Sequence, residues 1–372
     1  MLGLVLPLVV VSIAIFLYMA ASGVPLFLAC EILVLAFLLW LNNSVIVSFA
    51  RQLRIGYATA LFFVPFFVTL PELVTCVVLA QHGFGLASFM NAVYSVVMDL
   101  CFTYALFVLM YYRVCRKWLM YTQCEPVVLP NAYMVIGLLP PLVLVCMVFD
   151  FDRLAIEPRL VMDDLVDGLV LLMTYIFALV VPVVYMLATQ RSKLKTALPQ
   201  HETFAPTARK IFLFIVSLLS LLFLSQQFAE RMDIVCSLLG EKAGGVLAAY
   251  LTSIPDAMYA LAAFSPRVEE VKESLVELWS SSFHDLTRNI SVPVLLYATG
   301  TTLFGLAGGP LEANLATVLA MFIAVYAWLI GHRINAPALV SPRKARLLVA
   351  TPRTSVVLLT AFAVCTAIGL LM

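Results

Sequence analysis

Apolar runs of about twenty residues succeed one another along almost this entire chain, separated by short polar stretches, and this limits its architecture more than any motif does. A membrane-crossing helix needs about 20 predominantly apolar residues. Runs of that kind are read at about 1–21, 24–43, 56–80, 86–112, 130–149, 165–188, 208–225, 244–264, 277–305, 312–331 and 353–371. Of 372 residues only 12% are charged, against about 25% in a soluble domain. The expected fold class is an all-α polytopic membrane protein with about eleven spans. Ala20, Ala21 and Ser22 would suit a cleaved secretory signal, but the first run lacks a basic start and is long, so a retained helix is expected.

The basic residues fall in alternate connections. Arg51 and Arg54; Arg113, Arg116 and Lys117; Arg191, Lys193, Lys195, Arg209 and Lys210; Arg267 and Lys272; and Arg333, Arg343, Lys344, Arg346 and Arg353 mark every second loop. By the positive-inside rule these loops face the cytoplasm, in a cell-surface membrane by default. The opposite connections hold Arg153, Arg159, Arg231 and Lys242, and Arg288 lies within a run. Most acidic residues also lie on loops or span ends, Glu230 and Asp233 among them on the outer side. Five do not: Glu31, Glu72, Asp99, Asp256 and Asp285 lie inside apolar segments. An acid at a helix centre costs about 2.5 to 3.5 kcal/mol on the insertion scale, so each is a functional candidate. A formal charge of +1 argues against a nucleic-acid partner. The partners expected are the lipid bilayer and inorganic cations.

Four of the five acids form a repeat. Thr69-Leu70-Pro71-Glu72 corresponds to Ser253-Ile254-Pro255-Asp256, and one run later Ser95 precedes Asp99 by four residues as Ser281 precedes Asp285. These spacings put hydroxyl and carboxylate on one helix face. Given the loop assignment, the helices of Glu72 and Asp256 cross the membrane in opposite senses. The pattern predicts two inverted-topology repeats of five helices plus an extra N-terminal helix, as in carriers that bind at the midplane. The expected division is an extra helix at 1–23, a first half at 24–188, a cytoplasmic linker at 189–210 and a second half at 211–372. Pro71 and Pro255 lack the N–H that would close onto the carbonyls of Phe67 and Leu251, so these oxygens are expected to be free where the helix bends or breaks. Carbonyls, hydroxyls and carboxylates are hard ligands for Ca²⁺ and Na⁺. Facing carboxylates in a low dielectric must hold cations or protons.

These residues resemble the sodium/calcium exchanger family of cation/calcium antiporters, whose two alpha repeats carry G-T-S-x-P-E or G-T-S-x-P-D and then N-x-x-G-S-N-x-x-N, or the same ending in Asp. Here the first repeat reads Phe67-Val68-Thr69-Leu70-Pro71-Glu72 and Asn91-Ala92-Val93-Tyr94-Ser95-Val96-Val97-Met98-Asp99. The second reads Leu251-Thr252-Ser253-Ile254-Pro255-Asp256 and Ser280-Ser281-Ser282-Phe283-His284-Asp285. The resemblance implies that Glu72 and Asp256 are central Ca²⁺ carboxylates, completed by Asp99, Asp285, Thr69, Ser95, Thr252, Ser253 and Ser281. It also implies alternating-access exchange of Ca²⁺ for Na⁺, with H⁺ or K⁺ as other coupling ions and no cofactor. Phe67, Leu251, Tyr94 and Ser280 stand where the family has glycine, and Val68 and Val96 replace a hydroxyl and an amide. The first half is thus poorer in neutral ligands.

Other residues admit two readings. Arg288, three residues after Asp285, either snorkels to the outer face, the favoured expectation, or sits against Asp285 as a tethered cation. His284 takes part in proton coupling or, as favoured, packs. Asn91 opens the second motif of the first repeat. Glu31, near its helix end, is expected to be structural or interfacial. Asp163, Asp164 and Asp167 spell the D-D-x-x-D of membrane prenyltransferases, but no second acidic motif faces it, and a solvated helix start is expected. The stretch from Arg267 to Glu277 reads as a short interfacial helix. Cys30, Cys76, Cys101, Cys146 and Cys365 lie in apolar runs as small fillers. No phosphate loop or catalytic constellation points to a pump or an enzyme.

Overall fold

The computed structural model describes residues 2–52, 64–115, 119–121, 128–151, 153–189, 208–262, 268–331, 333–335 and 347–371. Helices α1 (Leu2–Ala21) and α2 (Leu26–Gln52) come first. Next are α3 (Val64–Val68), α4 (Leu70–Gln81), α5 (Gly85–Val96), a π-helical segment (Val97–Thr103) and α6 (Tyr104–Cys115). Then follow α7 (Val128–Val148), α8 (Leu165–Thr189), α9 (Ala208–Leu239), α10 (Glu241–Ala262), α11 (Val268–Thr299), α12 (Leu315–Gly331) and α13 (Pro352–Leu371). Counting α3 with α4, and α5 with the π segment and α6, the described helices make eleven crossings. They match the apolar runs.

Leu26–Ile46, Gly85–Arg113, Ala208–Leu239 and Pro352–Leu371 are long and apolar enough to span a bilayer, and shorter apolar stretches occur in α1, α3 with α4, α7, α8 and α12. The two helices left out are α10 and α11, both rich in polar groups. They are shielded by other helices: α10 packs against α5 and α2, and α11 against α8, α4 and α5. Gly245 allows the close approach of α10 to α5, because a Cβ there would stand 2.8 Å from the Ala87 carbonyl and from Met90 Cβ. Glu241 joins the same two helices from the end of α10, accepting hydrogen bonds from the backbone N–H groups of Leu86 (3.0 Å) and Ala87 (3.3 Å) at the start of α5. Outward faces of the peripheral helices present Phe27, Phe37, Phe177, Phe212, Phe223 and Ile330, as contact with lipid tails requires. The chain is a multi-pass integral membrane protein.

Strands are confined to connections. β1 (Leu119–Tyr121), β6 (Arg333–Asn335) and β7 (Leu347–Ala350) form one small sheet with β7 central, and β2 (Phe149–Asp150) pairs with β3 (Ala155–Ile156). β4 (Val161–Met162) pairs antiparallel with β5 (Leu311–Glu312), tying the connection before α8 to the one before α12.

Several boundaries differ from expectation. α9 runs on to Leu239, so Glu230, Arg231 and Asp233 lie on a helix rather than in a loop. Phe228, Ala229, Met232, Val235 and Cys236 recur there at helical spacing and are buried, a periodicity that outweighs the fall in hydropathy. The expected interfacial helix at 267–277 is no separate element: from Val268 it is the start of α11, with no breaker between its polar and apolar parts. Glu31 is structural, its carboxylate 2.7 Å from Arg231 Nε. The five buried cysteines among those described, Cys76, Cys101, Cys146, Cys236 and Cys365, are unpaired. The expected linker falls mostly on 190–207, outside the described residues, as do most of the basic loops.

Candidate functional site

The first crossing with a proline-acid motif is broken at Thr69, between α3 and α4. Pro71 occupies the first turn of α4, where its missing N–H costs least. Glu72 follows in that turn, favoured by the helix dipole. Its side chain is 1% exposed, and among the described residues no other residue hydrogen-bonds to either carboxylate oxygen. Glu72 lies within electrostatic reach of Asp285, Asp99 and Arg288. Asn91 on α5 holds the motif from behind, donating to the Glu72 carbonyl (3.1 Å) and to Cys76 Sγ (3.2 Å). Beside it Ser88 donates to the Cys76 carbonyl at 2.7 Å, and Ser95 to the Asn91 carbonyl at 2.9 Å.

Asp99 is buried within the π segment, whose wide turn closes from the Tyr104 N–H to the Asp99 carbonyl. Such insertions are rare and concentrate at functional sites.

The break does not leave its carbonyls bare. Arg288 Nη1 donates to the Phe66 carbonyl at 2.8 Å, and Nη2 donates to the Thr69 carbonyl at 2.8 Å and to Thr69 Oγ1 at 2.7 Å. Asn43 on α2 donates to the Val68 carbonyl at 3.2 Å. Thr69 Oγ1 donates its own proton to the Pro65 carbonyl at 2.8 Å. Arg288 is 3% exposed and its guanidinium lies 5.0 Å from the Phe66 ring centroid. The expected snorkelling is therefore overturned: the side chain turns inward because the broken helix offers oxygens that the outer face does not. Its link to Asp285 runs through Asn289, whose Oδ1 accepts from Arg288 Nε (3.1 Å) and Nη2 (3.0 Å) and whose Nδ2 donates to Asp285 Oδ1 at 2.6 Å.

The second half is built differently. α10 passes through Pro255 as a continuous helix, so of the bend or break expected at Leu251 a break is absent. Thr252 Oγ1 shares its proton between the carbonyls of Ala248 (3.0 Å) and Ala249 (3.1 Å). Ser253 is buried, and among the described residues its hydroxyl oxygen has no partner. Asp256 lies on α10, but its side chain is outside the described residues. Ser281 and Asp285 are buried on α11, in regular α-helix. His284 sits among the rings of Tyr175, Phe66 and Phe283, with neither nitrogen hydrogen-bonded.

The described residues thus bring Thr69, Glu72, Asp285 and Arg288 into one buried polar region. Sequence reading missed Asn289 and Asn43. Asn289 had a signal, standing four residues after Asp285 on the same helix. Among the described side chains, no three His, Cys, Asp or Glu are placed to hold a metal ion together. A cation at Glu72 would meet at most one further described carboxylate and would draw the rest of its shell from hydroxyls and carbonyls. The D-D-x-x-D residues stand apart at the start of α8, where Asp164 Oδ1 accepts from the Asp167 N–H at 2.7 Å.

No protein-family model matches the sequence, and a search of curated proteins finds no match. Solved structures do match. The sodium-calcium exchanger NCX_Mj soaked with 100 mM Na⁺ and 10 mM Sr²⁺ superposes with a TM-score of 0.56 at 16% identity, over 92% of this chain and 99% of that one. The same exchanger soaked with 10 mM Na⁺ and no Ca²⁺ gives 0.56 at 16% identity, over 94% and 100%. Native YfkE gives 0.58 at 13% identity, over 98% and 99%. The chain therefore shares the fold of these solved structures.

Proposed function

We propose that this chain is a divergent member of the sodium/calcium exchanger family, a secondary-active antiporter exchanging Ca²⁺ for Na⁺ by alternating access at a midplane site. The observation that carries the reading is Glu72. A buried carboxylate to which no other described residue hydrogen-bonds cannot remain ionised and empty in a low dielectric, so it takes a cation or a proton. Asp285 and Asp99, in its electrostatic neighbourhood, bring the carboxylates to three against the one positive charge of Arg288, and the two charges left over favour a divalent partner. Glu72 and Asp256 are the central ligands in this reading, with Asp99, Asp285, Thr69, Ser95, Thr252, Ser253 and Ser281 contributing around them. Residues 24–188 and 211–372 are the two inverted halves, 1–23 an additional helix, and the basic connections face the cytoplasm of a plasma membrane. Regular helix around Asp285 and open helix at Glu72 give two unlike faces for one ion path.

Reconstitution tests this. Proteoliposomes loaded with Na⁺ are expected to accumulate ⁴⁵Ca²⁺ when diluted into Na⁺-free medium. Uptake driven by a pH gradient alone would replace Na⁺ by H⁺ as the coupling ion, and no uptake with either gradient would remove the antiporter reading.

A further inference from the structure

We propose that Arg288 is a tethered cation that permanently fills a monovalent-cation subsite at the break between α3 and α4. In consequence the carrier moves one cation fewer per cycle than the same acids would take with that subsite open. This rests on the antiporter reading for its transport consequence, but not for the binding claim. Three oxygens, the carbonyls of Phe66 and Thr69 and the Thr69 hydroxyl, converge on one guanidinium at 2.7 to 2.8 Å. Carbonyl and hydroxyl oxygens are what a hard cation would otherwise use. A guanidinium carries only donors and keeps its charge at any working pH, so it satisfies these oxygens without leaving in exchange for a proton. The Phe66 ring covers it on one face, and Asn289 anchors it while passing a hydrogen bond on to Asp285.

The other half supplies an independent observation. Ser253, the counterpart of Thr69 in the repeat, is just as buried, yet among the described residues its hydroxyl oxygen has no partner. The residue three after Asp99, corresponding to Arg288, is Phe102, so the repeat's counterpart position carries no guanidinium. One hydroxyl subsite is thus filled by the protein and its counterpart is left for a mobile ion.

The test has two arms. In the first, wild type and Arg288→Ala are unfolded thermally in detergent at constant ionic strength in choline, Na⁺ or millimolar guanidinium chloride. Arg288→Ala is expected to melt lower in choline and to be restored by Na⁺ or guanidinium by more than wild type responds. An equal response in both proteins would make Arg288 a structural strut and overturn the proposal. In the second arm, Ca²⁺ flux into proteoliposomes is followed against Na⁺ concentration and against a clamped potential. The variant is expected to show a Na⁺ Hill coefficient raised by one ion and a changed voltage dependence, and unchanged values of both would overturn the proposal. Should Arg288→Ala not fold, Arg288→Gln, which keeps donors without the charge, carries the same expectations. If wild type moves no cation, the antiporter reading fails, while the thermal arm still decides whether the pocket takes one.

Discussion

Thr69-Leu70-Pro71-Glu72 and Ser253-Ile254-Pro255-Asp256 are nearly the same phrase, yet one breaks its helix and the other does not. Proline alone does not account for the difference, since both have it in the same place. The first motif has a second proline six residues earlier, Pro65, where the second has Ala249. It also has side-chain partners for carbonyls around the interruption: Arg288 for Phe66, Asn43 for Val68, and Arg288 again as a second donor to the Thr69 carbonyl, which still accepts from the Leu73 N–H. Unpaired backbone groups in a bilayer cost several kcal/mol each, about enough to keep a helix closed unless side chains take over. α10 stays continuous although Pro255 offers no N–H to the Leu251 carbonyl, and there Thr252 turns back on its own backbone. A short motif therefore sets where a membrane helix can open, and the neighbouring helices decide whether it does.

The sharpest way to break this comparison is at the acids. Glu72→Gln and Asp256→Asn are each expected to reduce Na⁺-driven ⁴⁵Ca²⁺ uptake to background; either variant transporting normally would remove its residue from the ion path. The prolines come next. Pro71→Ala restores an N–H able to close onto Phe67, favouring a continuous helix that competes with Arg288, and uptake is expected to fall roughly tenfold, the equivalent of about 1.4 kcal/mol. Pro255→Ala acts on a helix already continuous and is expected to change uptake by less than about threefold, or under about 0.7 kcal/mol on the same scale. An effect at Pro255 equal to that at Pro71 would mean that the halves work alike. The smallest effect is expected at the start of α8. Asp163→Asn with Asp164→Asn should leave uptake within about twofold, since asparagine caps a helix about as well as aspartate. Lost uptake there would bring the acidic loop into the transport path.

The eleven crossings and the intramembrane acids were legible in the sequence because both rest on transfer energies that neighbours hardly alter. The end of α9 was not. A hydropathy window sees Gln226, Gln227, Glu230, Arg231 and Asp233 as the end of a run, whereas in the fold Glu31 pairs with Arg231 and the apolar side of the same turns is buried. Arg288 was misjudged for a related reason: its direction depends on a broken helix more than two hundred residues away in the chain. Asn289 is a link only because Arg288 points inward. The π segment at Asp99 has no signature in Val97-Met98-Asp99-Leu100, which reads as ordinary helix.

That segment has a mechanical meaning of its own. A π turn holds a residue more than an α turn of the same height. It is slack stored inside a buried helix, between Ser95 on one side and Tyr104 on the other. Taking up that residue would rotate α6 against α5 by about 100°, one residue's share of an α-helical turn. Asp99 sits in the slack itself, so its carboxylate lies at the point where such a rotation would begin.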